Sequence, residues 1–584
     1  VTATEEAKVN GTNVSVTNNS NIAGNNAEVN GTNVTLDNST VNATENATVN
    51  GINVLVVNST VNGTNATVDG SSNVSVDGSN VTATENATVN GTNVSVTNNS
   101  NISGNNASVN GTNVTVSDSV VNGTNATVSG KDVNVTGSNV TATDTATVTG
   151  DNVSITNNSN ISGNNVSVNG TNVTIADSIA NGTNVTVSGK EVNVTGSNVT
   201  ATDTATVTGD NVSITNNSNI SGNNTTVAAN NNLTVENSTT IGNETVDITG
   251  ANVTLDNYTA AGGNITVNAT NGTTNIYNST INATIGNANI SGTEGVNIGN
   301  GTNISAAEEV VVDSVNGSIN ITGTNITGNN VTLTAAENIT TVNSNISGRT
   351  NVNLTAGDSV IITNSTYNAG ENITVIATNG SVAISDSNFT SGNNTYISGN
   401  TAVELSGTTF TSINITVETD GSFINNNNVY NATNVHLPIV NITSETVLDD
   451  YGTWLQDTGL DFYDTYTDEV RQFEPQIIAS SDVKYMEAQG IYVAANNPSV
   501  NKYLANRGFT LQTCAVIDPE QLKQRFDLSE QDKFDLSKIC AYLNEQLRQN
   551  GKIPDALPKA VLPNEVLALV DGKASQSATN SLGE

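Results

Sequence analysis

Residues 1–437 of this 584-residue chain contain few aromatic residues and no proline. Aromatic residues make up 4% of the sequence and charged residues 12%, and the first aromatic and first proline are Tyr258 and Pro438. Asn, Thr, Val, Ser and Gly take their place, which is far from the average globular composition. Since twelve of the 16 basic residues follow residue 450, two different kinds of sequence join near residues 437–450.

Positive charge is scarce. The chain has 16 Lys and Arg against 53 Asp and Glu, and its formal net charge is −37 at pH 7. Such a surface repels phosphate backbones and anionic lipid, so we expect no nucleic-acid partner. No apolar run approaches the ~20 residues that a membrane-spanning helix needs, so we expect no membrane insertion. The charge favours solubility outside a cell and a weak attraction for cations.

Histidine and cysteine are nearly absent. His436 is the one histidine, and the two cysteines are Cys514 and Cys540. Catalytic Ser-His-Asp or Cys-His arrangements centred elsewhere are therefore excluded, and so is a zinc site of the usual Cys/His type. The two cysteines allow one disulfide bond or none. Asp and Asn allow weak Ca²⁺ binding, but no D-x-D-x-D loop or GGxGxD nonapeptide is present, so we expect no metal site and no cofactor.

What the sequence does contain is a repeat. The phrase NVxV recurs in steps of about 19–20 residues, and a fixed period in this range is the signature of a solenoid and argues against disorder. Its first valines are Val14, Val34, Val54, Val74, Val94, Val114, Val133, Val153, Val173, Val192 and Val212. A longer repeat lies over this one, since residues 133–165 return without change as residues 192–224, three steps further along the chain.

Each repeat contains short stretches in which apolar and polar residues alternate, which is strand periodicity. In residues 101–119 there are three such stretches, around Ile102, Ala107–Val109 and Val114–Val116. Asn and Gly, which tolerate the left-handed backbone of sharp bends, separate them. The pattern predicts an all-β parallel β-helix with about 19–20 residues and three short strands per coil. Residues 1–440 then form roughly 22 coils, too narrow for many aromatic rings.

This coil, rich in Val, Asn, Gly and Thr, resembles the passenger repeats of filamentous haemagglutinin-like adhesins, which are exported by two-partner secretion. The resemblance covers residues 1–440 and rests on period and composition. It implies a long right-handed β-helix, export from the cell and a role in attachment. The sequence contains no NPNG-like motif and no recognisable secretion domain of that family, so the export route rests on the resemblance alone.

The sequence after residue 440 predicts three further segments. Residues 441–475 are acidic and aromatic, and we expect them to cover the end of the solenoid. Trp454, Tyr463 and Tyr466 in this segment are a candidate glycan-binding patch. Residues 476–571 predict a small, mainly α-helical domain with capped amphipathic segments, and residues 572–584 a disordered tail.

Three surface features have a chemical and a structural interpretation. N-x-[ST] sequons recur dozens of times, which the composition alone explains, although glycans at a subset stay open. Thr-rich stretches such as TATDTATVTG at 141–150 suggest an ice-binding array, but Asn, Asp and Ser interrupt the Thr columns. Lys131 beside Asp132 and Lys190 beside Glu191 predict local ion pairs that close two shortened bends.

These observations favour a non-catalytic, secreted or cell-surface rod that mediates attachment. Its expected partner is a host or neighbouring cell surface, a glycan or a matrix component. The alternative is a structural subunit of an extracellular filament, sheath or matrix, in which rods associate end to end. A polysaccharide-active enzyme is disfavoured, because such a site needs clustered carboxylates and a base, and the four basic residues before residue 450 are scattered.

Overall fold

The computed structural model describes residues 1–438 together with Val440–Asn441 and Gln476–Ile477. It is an all-β parallel β-solenoid of about 22 turns, and the described residues include no helix. The predicted solenoid is therefore confirmed. Apart from Asn441 and Gln476–Ile477, the predicted capping segment, helical domain and tail lie outside the described residues. The chain divides into two compact units, Val1–Asn329 and Asn330–Glu584.

The strands of the first unit are all parallel to their partners. They are β1 Glu6–Val16, β2 Asn21–Asp37, β3 Thr40–Val57, β4 Thr60–Asp77, β5 Asn80–Asn90, β6 Asn93–Thr97, β7 Asn101–Ser103, β8 Asn106–Asn110, β9 Asn113–Ser117, β10 Val120–Ser129, β11 Asp132–Thr136, β12 Asn139–Thr156, β13 Asn160–Ala176, β14 Ile179–Ser188, β15 Glu191–Thr195, β16 Asn198–Gly209, β17 Asn211–Thr215, β18 Asn219–Ala229, β19 Asn232–Glu236, β20 Thr239–Gly250, β21 Asn252–Asp256, β22 Thr259–Ala269, β23 Thr273–Tyr277, β24 Thr280–Ala283, β25 Ala288–Gly292, β26 Gly295–Ile298, β27 Asn303–Ala306, β28 Glu309–Ser314 and β29 Ser318–Thr322.

The remaining described strands continue the numbering. They are β30 Asn325–Ala335, β31 Ile339–Val342, β32 Asn345–Ala356, β33 Val360–Thr363, β34 Thr366–Ala369, β35 Asn372–Ala377, β36 Ser381–Ser385, β37 Asn388–Ser391, β38 Asn394–Gly399, β39 Ala402–Ser406, β40 Thr409–Thr419, β41 Ser422–Asn426, β42 Val429–His436, β43 Val440–Asn441 and β44 Gln476–Ile477. The last two form an antiparallel pair.

One coil shows why the sequence folds in this way. Strands β7, β8 and β9 are the three predicted strands of residues 101–119, and in each the apolar residue of the alternation points inward and is buried. Val94 pairs with Val74 in the coil before and with Val114 in the coil after, so like residues stack. Burying one such side chain contributes on the order of 1.5–3 kcal/mol, and every coil repeats the gain.

Coil length departs from the prediction late in the chain. Val253 pairs with Thr274, Thr274 with Val296 and Val296 with Ile319, and neighbouring coils here are in steps of 21, 22 and 23. In the second unit, Ile339 pairs with Val360 and Val360 with Val382, in steps of 21 and 22. Steps of 20 return in the last coils, where Val403 pairs with Phe423 and Phe410 with Tyr430, so the longer coils lie between two stretches of the predicted period.

Four coils of the second unit hold a column of aromatic rings. Tyr367, Phe389, Phe410 and Tyr430 stack with ring centroids 4.8, 5.2 and 5.3 Å apart. The Tyr367 hydroxyl hydrogen-bonds to Thr341 Oγ1 at 2.6 Å, and burial raises its pKa above the usual range. The expectation that coils of this kind leave little room for large rings is wrong for these coils.

Candidate functional site

Most coils have a sharp corner built from a left-handed residue followed by a buried hydroxyl. Gly78 has φ +56°, and Ser79 after it is fully buried. The Ser79 hydroxyl donates to the Asp77 carbonyl at 2.7 Å and accepts the Ser59 N–H at 3.0 Å. The Ser79 N–H in turn donates to the Ser100 hydroxyl at 3.1 Å. The corner residue thus satisfies backbone groups of its own coil and the preceding coil.

The sequence reasoning missed this column. Its signal was present as an Asn, Asp or Gly followed by Ser once per coil. The buried serines are Ser39, Ser59, Ser79, Ser100, Ser119, Ser138, Ser159, Ser178, Ser197, Ser218, Ser238, Ser279, Ser344, Ser365 and Ser387, with Tyr258, Thr302, Thr324 and Thr408 at equivalent corners. The column is structural, and it holds the outward faces in register.

The outward face of the NVxV strands carries a ladder of carboxamides. Asn93 Nδ2 donates to Asn73 Oδ1 at 2.9 Å, and Asn113 Nδ2 donates to Asn93 Oδ1 at 2.7 Å. The ladder uses one N–H and one lone pair of each side chain, so a second N–H and lone pair remain on each. Each coil with Asn at this position therefore presents one fixed donor and one fixed acceptor, at the ~4.8 Å spacing of neighbouring strands.

The ladder contains two carboxylates, at the positions that the sequence had singled out. Asn152 Nδ2 donates to Asp132 Oδ1 at 2.5 Å, and Asn211 Nδ2 donates to Glu191 Oε1 at 2.7 Å. The predicted ion pairs with Lys131 and Lys190 are wrong, because in the described part of the chain only Lys8 makes salt bridges. The next coil's carboxamide engages each acid instead, and both lysines are exposed.

This face forms a shallow groove. The groove extends from the coil of Asn33 to the coil of Asn172, eight coils or about 34 Å. Its lining combines the ladder with a column of small outward side chains and the buried valines between them. The outward lining residues are Asn33, Thr35, Asn53, Leu55, Asn73, Ser75, Asn93, Ser95, Asn113, Thr115, Asp132, Asn134, Asn152, Ser154, Asn172 and Thr174. Asp132 is the one charged side chain among these lining residues.

A second recess lies further along the chain, around Tyr277 at the end of β23. Tyr277 is 37% exposed, and its ring lies against Gly299 of the next coil. Asn278 Nδ2 donates to Asp256 Oδ1 at 3.2 Å at the edge of the recess. The remaining lining residues are Asn297, Ile298, Asn300, Asn320 and Thr322. An aromatic ring, a carboxylate and several carboxamides thus meet on one surface.

Two charged groups among the described residues have a raised pKa. Burial raises the pKa of Asp313, and hydrogen bonding to Glu6, helped by Glu28, raises the pKa of Lys8. Within the described residues, no three His, Cys, Asp or Glu side chains lie close enough to hold a metal ion. The groove and the recess therefore offer hydrogen bonds and one aromatic ring.

Several predicted site residues lie outside the described part of the chain. They are Trp454, Tyr463, Tyr466, Cys514 and Cys540, so the glycan patch and the disulfide stay predictions. The sequon at Asn93 belongs to the carboxamide ladder, whereas that at Asn58 is an exposed left-handed corner. Glycosylation itself stays a prediction.

The Thr face predicted from residues 141–150 is interrupted in three dimensions as well. Outward Thr145 and Thr149 pair with Asn165 and Asn169 in the next coil. Residues 141–150 therefore do not belong to a continuous array of Thr columns of the kind that ice binding requires.

Comparison with family models, curated proteins and solved structures finds no match for this chain. Among the residues that the structure describes, none belongs to a helix with the length and apolar character that crossing a bilayer requires.

Proposed function

We propose that this chain is a non-catalytic attachment protein, a secreted or cell-surface β-helical element of the filamentous haemagglutinin type, with the right-handed coil of that type. Its partner would be a cell surface, a glycan or a matrix component. The observation that carries the proposal is a surface repeated in register on one face of the first unit.

The repeated surface comes from the longer of the two sequence repeats. Residues 74–106 closely match residues 133–165 and 192–224, and each copy begins at the same offset from the one before. Val133 pairs with Val153, Val153 with Val173 and Val173 with Val192, so the offset equals three whole coils. The copies therefore face the same direction, about 14 Å apart.

Such a repeated surface would serve multivalent attachment. A partner with a repeated structure can contact several copies at once, and each further contact benefits from a high effective concentration. Polar ladders that are held by their neighbours also lose little side-chain entropy on binding. Weak single contacts would then add up to firm attachment.

The test is adhesion by the full chain to cultured cells and to surfaces coated with matrix proteins or glycans. A variant that lacks residues 133–191 keeps the coil register but has one copy fewer. We expect it to adhere more weakly than the intact chain, and the loss to be larger at low protein density. Adhesion by neither protein to any of these surfaces would contradict the proposal.

The second candidate is a structural subunit of a filament, sheath or matrix. It is favoured by the uniform bonding between coils, since the same Ser and Asn ladders join one coil to the next, as in Ser59–Ser79 and Asn73–Asn93. A coil of a second copy would be able to extend such ladders. Negative-stain imaging distinguishes the two, because filaments favour the structural subunit and separate particles favour the attachment protein.

A further inference from the structure

Tyr277 occupies an unusual place in the first unit. Residues 1–329 contain only two aromatic side chains, and Tyr258 is buried at a corner, which leaves Tyr277 as the exposed one. A Cβ at Gly299 would lie 2.3 Å from Tyr277 Cδ1, so the Cδ1–Cε1 edge of the ring lies against backbone that only glycine leaves free. The ring therefore contacts the next coil along this edge, while Tyr277 remains 37% exposed to solvent.

The backbone around Tyr277 is held on both sides. Its carbonyl accepts the Asn257 N–H at 3.1 Å and the Ser279 hydroxyl at 2.5 Å. The following residue, Asn278, is the left-handed corner, with φ 48°. The backbone that carries the ring is thus fixed by the coil, through contacts that a ligand would not have to displace.

Hydrogen-bonding groups surround the open side of the recess. Asn320 Nδ2 donates to Asn297 Oδ1 at 2.9 Å, and Asn278 Nδ2 donates to Asp256 Oδ1 at 3.2 Å. Asn300 is exposed beside them. Each carboxamide keeps an unused N–H or lone pair, and Asp256 keeps a second oxygen that can accept hydrogen bonds.

We propose that the recess binds one sugar residue of a neutral polysaccharide, an inference that rests on the attachment function and gives its ligand class. The sugar's apolar C–H face would lie on the Tyr277 ring, which supplies contact area at low entropic cost. Its hydroxyl groups, which both donate and accept, would pair with Asp256, Asn297 and Asn300. A concave site with one apolar platform and a few convergent polar groups is typical of small-ligand recognition.

Charge selects the neutral class. Among the described residues, no Lys, Arg or His lines the recess, and the chain carries a net charge of −37, so a polyanion would be repelled. The competing explanation is that the ring only shields the backbone of Gly299, as aromatic residues do beside strand glycines. That explanation predicts a loss of stability without any binding.

The experiment is native affinity electrophoresis of the full chain. The gels contain a neutral glucomannan, a neutral mixed-linkage β-glucan or a neutral galactan, with polygalacturonate as the anionic comparison. We expect at least one neutral polymer to retard the protein, and Tyr277→Ala to weaken that retention by about tenfold. Tyr277→Phe should keep it, and Asn300→Ala should reduce it while leaving the ring in place.

Tyr396→Ala is the matched control, since Tyr396 is an outward tyrosine on β38 that lies outside the recess. Melting curves establish whether each variant is folded. If Tyr277→Ala does not fold, Asn300→Ala still tests whether the recess binds the polymer. Retention that the Tyr277 and Asn300 variants leave unchanged, retention by polygalacturonate alone, or no retention at all overturns the inference. Cell adhesion measured on the same preparations is the separate test of the attachment function.

Discussion

At the scale of the single residue, the corner serines carry more of the fold than their size suggests. Ser79 closes its own turn and also accepts a backbone N–H from the preceding coil. Ser79→Ala would leave the Ser59 N–H buried without that acceptor, a loss of about 1–3 kcal/mol. Chemical denaturation should show this, whereas Ser75→Ala, on the outward face of the same coil, should change stability little. Equal losses of stability in the two variants would contradict the stabilising role of the Ser79 hydroxyl at the corner.

Asp313 gives a second residue-scale prediction, in its dependence on pH. Burial raises its pKa in the folded state, so the folded chain binds more protons than the unfolded chain between the two pKa values. Stability from this group therefore falls as pH rises through that window, which begins near the unfolded value of about 3.9. Asp313→Asn should raise the melting temperature at pH 7 and give no gain at pH 3.5.

The control for this prediction is Asp358→Asn, an exchange at an exposed aspartate between strands β32 and β33. Both variants change the net charge by the same amount, so any effect of overall charge is common to both. A gain at pH 7 that is equal in the two variants would assign the effect to net charge and not to burial of Asp313.

At the scale of the element, the stability of the second unit should depend strongly on the column of aromatic rings. Phe389 is fully buried between the rings of Tyr367 and Phe410. Phe389→Ala should cost about 3–5 kcal/mol, because it removes buried area and leaves a cavity in the column. Hydrogen exchange of strands β34, β37 and β40 should report the loss. Phe423→Ala, at a half-buried ring, should cost less.

The strands could be predicted from the sequence, because alternation and period are local signals. The three strands β7, β8 and β9 follow directly from residues 101–119. The Tyr277 recess could not, since its platform depends on Gly299, which only a lengthened coil brings beside the ring. The ion pair of Lys131 and Asp132 failed for a related reason, because contact between coils prevails over contact along the chain.

The column of corner serines has a regular sequence signal, but that signal does not reveal that the serines are buried. Its sequence signal, a left-handed residue followed by Ser, repeats as regularly as NVxV. Ser is nevertheless a common polar residue of this sequence, and its burial depends on the hydroxyl finding backbone partners in two coils. Hydrophobic periodicity does not report such a position, because a small polar side chain counts as exposed in that pattern.

At the scale of the whole molecule, the coil is the unit that can be removed. Stability of a repeat protein is approximately a sum over repeats and their interfaces, so loss of complete coils should be tolerated. Deleting residues 133–191 joins Asp132 to Val192, and the segment that then follows, 192–224, is identical to the natural 133–165. Val192 would stack on Val114, as Val133 does. We expect this variant to fold, with a cooperative melt near that of the intact chain.

Deleting residues 133–162 instead removes about one and a half coils and joins Asp132 to Gly163. The junction places a residue from another face where Val133 belongs, so inward valines would no longer stack on inward valines. Because a shift in register turns buried side chains toward solvent, this shorter deletion should be the more damaging one. Circular dichroism melts and limited proteolysis of the three proteins compare them directly. If the longer deletion destabilises the chain as much as the shorter one, the three-coil repeat is not the modular unit that the register of the valines implies.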